Sequence, residues 1–226
     1  APYTGLTMTD DLGAYTYGTG TLTPLTYVDG SLRYFVNGVL QATPTPTADA
    51  PLTVPGIAVP AGGNALLIYE TRVNSFAPLD TESTVTNTAT LSGAGLTTPV
   101  QAASTVNARA AAYLTIGKAV SPATVAENGT LTYTFTIQNY GNTAAAETDN
   151  VTVSDTFSPI LKAISVTYNG VAWTEGTQYT YNAATGAFAT TAGQITVPAA
   201  SLTRDAATGA VVVTPGISTL TVTGTV

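Results

Sequence analysis

The sequence predicts an all-β chain built as two β-sandwich modules in tandem, with nearly no helix. Three observations carry this expectation. Apolar and polar residues alternate with a period of two over many short runs, Gly, Pro and Asn punctuate those runs, and segments of the first half recur in order in the second.

The clearest run lies at residues 114–142. Leu131, Tyr133, Phe135 and Ile137 alternate with Thr130, Thr132, Thr134 and Thr136, which puts the apolar set on one face of a strand. Leu114, Ile116, Lys118 and Val120 alternate in the same way before the turn signal Glu127-Asn128-Gly129, so two strands flank a loop. Earlier in the chain, residues 6–12 read as a strand with Leu6, Met8 and Leu12 on one face and Asp10 among them. Residues 149–157 read as its counterpart, with Val151, Val153 and Phe157 on one face and Asp155 among them. Two further pairs follow in order. SLRYFVNGVL from Ser31 matches SVTYNGVAW from Ser165, and VPAGGNALLIYETRV from Val59 matches VTPGISTLTVTGTV from Val213.

The match places Asp10 opposite Asp155, and a full module needs roughly 145 residues. The alternating strands at 83–91 and 100–107 have no counterpart in the second copy, and the first copy has nothing equivalent to 114–142. The expected division is residues 1–108, a module lacking its opening strands, and residues 109–226, a module lacking its closing strands. NARAAAY at the join is too short to hold an isolated helix and reads as linker. The chain reads as a piece of something longer.

Composition narrows the function. Only 8% of residues are charged and 44% are hydrophobic, while threonine supplies about a fifth. Threonine suits a pleated surface and offers water a hydroxyl where other proteins offer charge. A net charge of -7 with six basic residues leaves no basic stripe for phosphates, so nucleic-acid binding is not expected. No apolar run reaches the length of a membrane helix, so membrane insertion is not expected. With no cysteine, any covalent staple must be something other than a disulfide.

The ordered set TIGKAVSPATVAENGTLTYTFTIQNYGN, NVTVSDTF, an Asn-Gly turn, a VPA or TPG step before a strand, and VTNTATLSG resembles the conserved domain repeated in tandem on bacterial surface proteins. The wording ENGTLTYTFTIQN and GQITVPA is most similar to versions from Gram-positive gut anaerobes. The resemblance covers nearly the whole chain. It implies Ig-like sandwiches, export to the cell surface, a role in stalks, adhesins or fibres, and kinship with fimbrial domains that form a Lys-to-Asn isopeptide bond.

Histidine and cysteine are absent, which removes serine–histidine triads, cysteine nucleophiles and ordinary zinc sites. Asp10 and Asp11 are adjacent on a strand and point to opposite faces, so they are no glycosidase pair. Neither they nor Asp149 and Asp155 have calcium-loop spacing, and no metal or cofactor is expected. Polar residues on apolar faces stand out instead. Lys118 shares the face of Leu114, Ile116 and Val120, Asp155 that of Val151 and Val153, and Asn87 that of Val85, Ala89 and Leu91.

Amine, carboxyl and carboxamide together are an isopeptide set: desolvation favours a neutral, nucleophilic amine and a carboxyl that relays protons while the carboxamide loses ammonia. The plainer reading has Lys118 laying its stem over the core with its amine in water, and Asp155 closing a turn. No module holds all three groups, since Asn87 and Asp10 fall in the first and Lys118 and Asp155 in the second.

A module without closing strands leaves an open sheet edge, which a strand from another subunit can fill. The expected function is therefore a structural subunit or stalk repeat of an extracellular bacterial surface fibre or pilus. It would act as a homo-oligomer or head-to-tail polymer joined by strand donation, and not as an enzyme. The alternative is an adhesin module that binds a glycan or host protein through loops such as 13–30 or 183–193. A third reading is an accessory domain of an exported enzyme. The sequons Asn128-Gly-Thr and Asn150-Val-Thr are expected to stay unmodified. Trp173, Tyr168, Tyr179 and Tyr181 read as core packing ahead of a sugar platform.

Overall fold

The computed structural model describes residues 1–226. Strand makes up 52% of the chain and helix 1%, as the alternating pattern requires. The chain divides into two compact units. One comprises Ala1–Ala108 with Thr203–Val212, the other Arg109–Leu202 with Val213–Val226. The excursion of residues 203–212 into the first unit has no signal in the sequence.

The first unit holds β1 (Tyr3–Asp10), β2 (Tyr15–Tyr17), β3 (Gly20–Leu22), β4 (Leu25–Tyr27), β5 (Arg33–Val36), β6 (Val39–Leu40), β7 (Ala48–Asp49), β8 (Leu52–Val59), β9 (Ala65–Ile68), β10 (Thr71–Val73), β11 (Thr84–Ser92) and β12 (Val100–Asn107). Its main sheet runs β12-β11-β1-β8-β7, and a smaller one runs β6-β5-β9. Leu6 and Met8 on β1, Leu52 and Val54 on β8, and Leu32 and Tyr34 beside β5 form its core. β1 stops where Leu12 and Gly13 take left-handed backbone, φ 53 and 73. The Asp10 and Asp11 carboxylates accept the Leu12 and Gly13 amides at 2.8 Å each, closing the turn from the side chains.

The second unit holds β13 (Leu114–Ser121), β14 (Thr130–Asn139), β15 (Ser154–Thr156), β16 (Lys162–Tyr168), β17 (Val171–Trp173), β18 (Tyr179–Asn182) and β19 (Ala187–Thr190); β20 (Ser201–Arg204) and β21 (Val211–Thr214) straddle the division between the units, and β22 (Gly216–Thr225) lies in the second. A sheet β13-β14-β22-β16-β17 accompanies a sheet β15-β19-β18. The alternation of β14 is obeyed in full: Leu131, Tyr133, Phe135 and Ile137 are all buried. Phe157 is the hub of this core, with its ring 4.8 Å from Tyr133 and 5.6 Å from Phe188. Tyr168 stacks on Trp173 at 4.9 Å, and Tyr179 packs on Phe188. These aromatics belong to the core or pack against it.

One expected strand is much shorter than the sequence suggests. Residues 149–157 alternate, yet only Ser154–Thr156 pair as a strand. Glu147–Asp149 instead form a single 3-10 turn, closed by the Asp149 carboxylate on the Ala146 amide and ended by Asn150 at φ 53. At the join, residues 108–113 are neither helix nor strand.

The two units share a hairpin of the same construction. β5–β6 turns at Asn37-Gly38 and β16–β17 at Asn169-Gly170, and all four residues have positive φ, between 49 and 81. Such a turn twists with its strands, which is why Asn-Gly occupies it. In the first unit the Asn37 carboxamide oxygen accepts the Asn64 amide at 2.9 Å; in the second Asn169 accepts the Thr219 amide at 2.8 Å. The clamp fixes the register of the next strand. Val36 pairs with Ala65 as Tyr168 pairs with Leu220, and Tyr34 with Leu67 as Val166 with Val222. β9 and β22 are therefore counterparts.

Candidate functional site

In the second unit, Lys118 lies on β13 opposite Phe135 of β14. Its ammonium sits 4.8 Å from the centre of the Tyr133 ring and 5.7 Å from those of Phe135 and Phe157. It forms an ion pair with the Asp155 carboxylate on β15. Ring faces and carboxylate act on the same cation, the rings through their electron-rich faces. The Lys118 side chain is 42% exposed and that of Asp155 18%, so the pair is half-sheltered. Asp155 Oδ1 accepts the Thr156 amide at 2.9 Å, while Oδ2 is buried and has no partner but Lys118.

This pair sits beside an open edge. β15 pairs with β19 on one side and with no strand on the other. On β13, Ile116 and Val120 share the alternating face of Lys118 and stay exposed. The asparagine carboxamide on the neighbouring strand is already committed. Asn139 at the end of β14 is fully buried, accepts the Tyr113 and Gly141 amides at 2.9 Å, and donates to the Thr143 and Pro198 carbonyls. A group with both ends satisfied in this way is structural.

In the first unit, Asp10 at the end of β1 is 1% exposed. Its Oδ2 accepts Asn87 Nδ2 of β11 at 2.9 Å and the Tyr69 hydroxyl in a short hydrogen bond. Burial, then Asp10 itself, pushes the Tyr69 phenol well above the usual tyrosine range. Asn87 Oδ1 is buried with no partner. Asp11 points the other way and accepts the Gly13 and Thr88 amides, as the alternation requires. No group of three or more acidic side chains gathers in a metal-binding cluster.

The structure thus brings Lys118 to Asp155 and Asn87 to Asp10, each pair within its own unit. Asp10 faces Leu52 across β8 and Asp155 faces Phe188 across β19, so each carboxylate is flanked by a core residue. Sequence reasoning missed Tyr69. It follows the unbroken apolar run Ala65, Leu66, Leu67 and Ile68, in which alternation assigns no face; only counting from the Asn37 clamp places it. Chemically, the second unit offers a held amine and a proton acceptor, and the first offers a carboxamide and a proton acceptor.

Among known proteins, no family model, curated protein or solved structure matches the chain.

Proposed function

We propose that the chain is a structural repeat of an extracellular bacterial surface fibre or stalk, made of two Ig-like units and extended head to tail by strand donation. One observation carries this reading. The edge of β15 is free beside Lys118 and Asp155, whereas the matching edge of β1 is occupied by β11, which lays Asn87 against Asp10. Backbone pairing along a free edge and apolar side chains in alternate pockets are the ordinary currency of strand addition.

A strand of the β11 pattern seated on β15 would bring a carboxamide to Lys118. The amine attacks the carboxamide carbon, the bond from that carbon to its own nitrogen breaks, and an amide links the two chains. Asp155 takes a proton from the lysine and returns it to the departing nitrogen, so lysine ammonium and carboxamide become amide and ammonium ion. Each joint forms once, which makes this assembly chemistry and not turnover.

Sedimentation of the chain over a rising concentration series, followed by intact mass under denaturing conditions, tests the reading. Head-to-tail oligomers are expected, each covalent joint lighter by about 17 Da, the mass of ammonia. A monomer at every concentration overturns it.

An adhesin reading has one observation in its favour. Within the first unit, the Arg204 guanidinium lies 5.4 and 5.5 Å from the Tyr15 and Tyr17 ring centres, a cationic aromatic surface in the 13–30 loop region. A glycan array probed with the intact chain separates the two, because a fibre subunit binds none of the sugars.

A further inference from the structure

We propose that residues 203–212 are a docking arm and that the β2–β3 hairpin is its socket, so that the first unit recognises a β-hairpin with an arginine just before its turn. The proposal stands independently of the strand-donation reading.

Comparing the two units shows where each carries an insertion. With β1 matched to β15, β8 to β19 and β9 to β22, two stretches have no counterpart. The second unit passes directly from β15 to β16, where the first builds β2, β3 and β4 between β1 and β5. The first passes directly from β8 to β9, whereas β20 and β21 stand between β19 and β22. Neither hairpin joins a larger sheet: β2 pairs only with β3, and β20 only with β21. Short two-stranded hairpins are marginal by themselves, so each needs something to pack on. Residues 203–212 belong to the first unit, as the β2–β3 hairpin does.

The arm holds its own shape. Its turn, Asp205-Ala206-Ala207-Thr208-Gly209, repeats residues 182–186 of the β18–β19 hairpin in all but the first residue. In both, that first side chain caps the turn: Asn182 Oδ1 accepts the Ala184 amide at 2.9 Å, and Asp205 Oδ1 accepts the Ala207 and Thr208 amides at 3.1 and 2.7 Å. In both, the glycine amide closes on the carbonyl of the first residue at 2.8 Å, and the glycine is left-handed, with φ 76 at Gly186 and 73 at Gly209. The two turns differ in what they touch. The Gly186 carbonyl accepts the Phe157 amide at 2.9 Å, inside the second unit. Gly209 lies on Tyr17 and Leu22, so close that a Cβ there would come within 2.8 and 2.6 Å of them.

The residue before the turn sets the specificity. It is Tyr181 in one hairpin and Arg204 in the other. Arg204 Nη1 donates to the Gly209 carbonyl at 2.8 Å, which braces the guanidinium across its own turn and aims it at the Tyr15 and Tyr17 rings. No carboxylate competes for it: the ion pair of the chain joins Lys118 to Asp155, and the Asp205 carboxylate is committed to its own turn. The socket is equally fixed. Tyr15, Tyr17 and Leu22 share one face of the β2–β3 hairpin, and Gly20 opposite Tyr17 puts no side chain there. The Tyr15 hydroxyl donates to the Phe76 carbonyl at 2.5 Å, and the Val211 amide of the arm donates to the neighbouring Ser75 carbonyl at 2.7 Å. Two prebuilt pieces therefore meet through ring faces, a glycine contact and a backbone hydrogen bond, which is the construction of a recognition surface and not of a continuous core.

The experiment follows backbone hydrogen exchange by mass spectrometry in the intact chain carrying Gly209→Val, which cannot seat against Tyr17 and Leu22 and strains the left-handed turn. Exchange at residues 15–22 is expected to quicken at least tenfold while β1 and β8 stay unchanged. A cyclic peptide of residues 201–214, closed so that its hairpin is preformed, should restore the slow exchange. The same peptide with Arg204→Met should need about fivefold more to do so, the worth of one cation–π contact. A cyclic peptide of residues 179–190, with the same turn and no arginine, should restore nothing. Unchanged exchange at residues 15–22 in the Gly209→Val chain, or no restoration by the 201–214 peptide, overturns the docking arm. Equal potency of the Arg204→Met peptide, or restoration by the 179–190 peptide, overturns recognition through the guanidinium. None of these results touches the β15 edge, whose occupancy the sedimentation series reads separately.

Discussion

Lys118 lies against Asp155 although the two residues sit on strands of different sheets, β13 and β15. The contact joins an edge strand of one sheet to an edge strand of the other. Coulomb attraction at a half-exposed pair is weak, because water screens it and ordering the long lysine side chain offsets part of the gain. Its value is therefore positional: it fixes an amine beside a free edge.

Replacing Lys118 by Met keeps the stem over the rings of Tyr133, Phe135 and Phe157 and removes the charge. The stability of the second unit should change by less than about 1 kcal/mol in urea unfolding. Covalent joints should vanish from the denatured mass spectrum, while noncovalent oligomers persist in sedimentation. A large loss of stability would show that the ion pair is structural and has no need of a donated strand.

Tyr69 makes the first unit sensitive to alkali. Its folded ionisation is raised, first by burial and then by Asp10. Below the unfolded tyrosine value of about 10 both states keep the proton, and the contribution of the buried phenol is fully present. Above it the unfolded chain sheds a proton that the folded unit retains, so stability falls as pH rises toward the folded value. The midpoint of unfolding, followed by hydrogen exchange at β1 and β8, should drop from pH 9 to pH 11 and drop less in Tyr69→Phe. Exchange must be resolved by unit, because burial also raises Tyr168 and Tyr179 in the second.

The strands were legible wherever one face is buried and the other wet. β14 shows this best: its four inward residues and four outward threonines lie where the period of two puts them. The hairpin turns were legible because Asn-Gly requires φ that few other residues accept. Residues 149–157 were not legible to the same degree. Their alternation is real, but the left-handed Asn150 and the cap at Asp149 make local hydrogen bonds that a strand would forfeit. At the site, alternation put Lys118, Asp155, Asn87 and Asp10 on inward faces, yet it carries no information about partners across the sandwich. Tyr69 escaped because a run of apolar neighbours erases the period, and the satisfied Asn139 escaped because its four partners come from three separate segments.

The Asn37 and Asn169 clamps yield the last expectation. Each residue does two things that different substitutions separate: it adopts left-handed backbone, and its carboxamide accepts the amide of the next strand. Glycine preserves the first and loses the second; alanine loses both. The order of stability should be Asn, then Gly, then Ala at both positions, with Ala costing about 1–2 kcal/mol from the strained backbone and somewhat more from the lost bond. Because Asn37 and Asn169 stand in different units, urea unfolding resolved by hydrogen exchange should show each alanine destabilising its own unit, and the double variant should give the sum of the two. Equal effects of Gly and Ala would mean that the carboxamide bond, and not the left-handed turn, sets the register of β9 and β22.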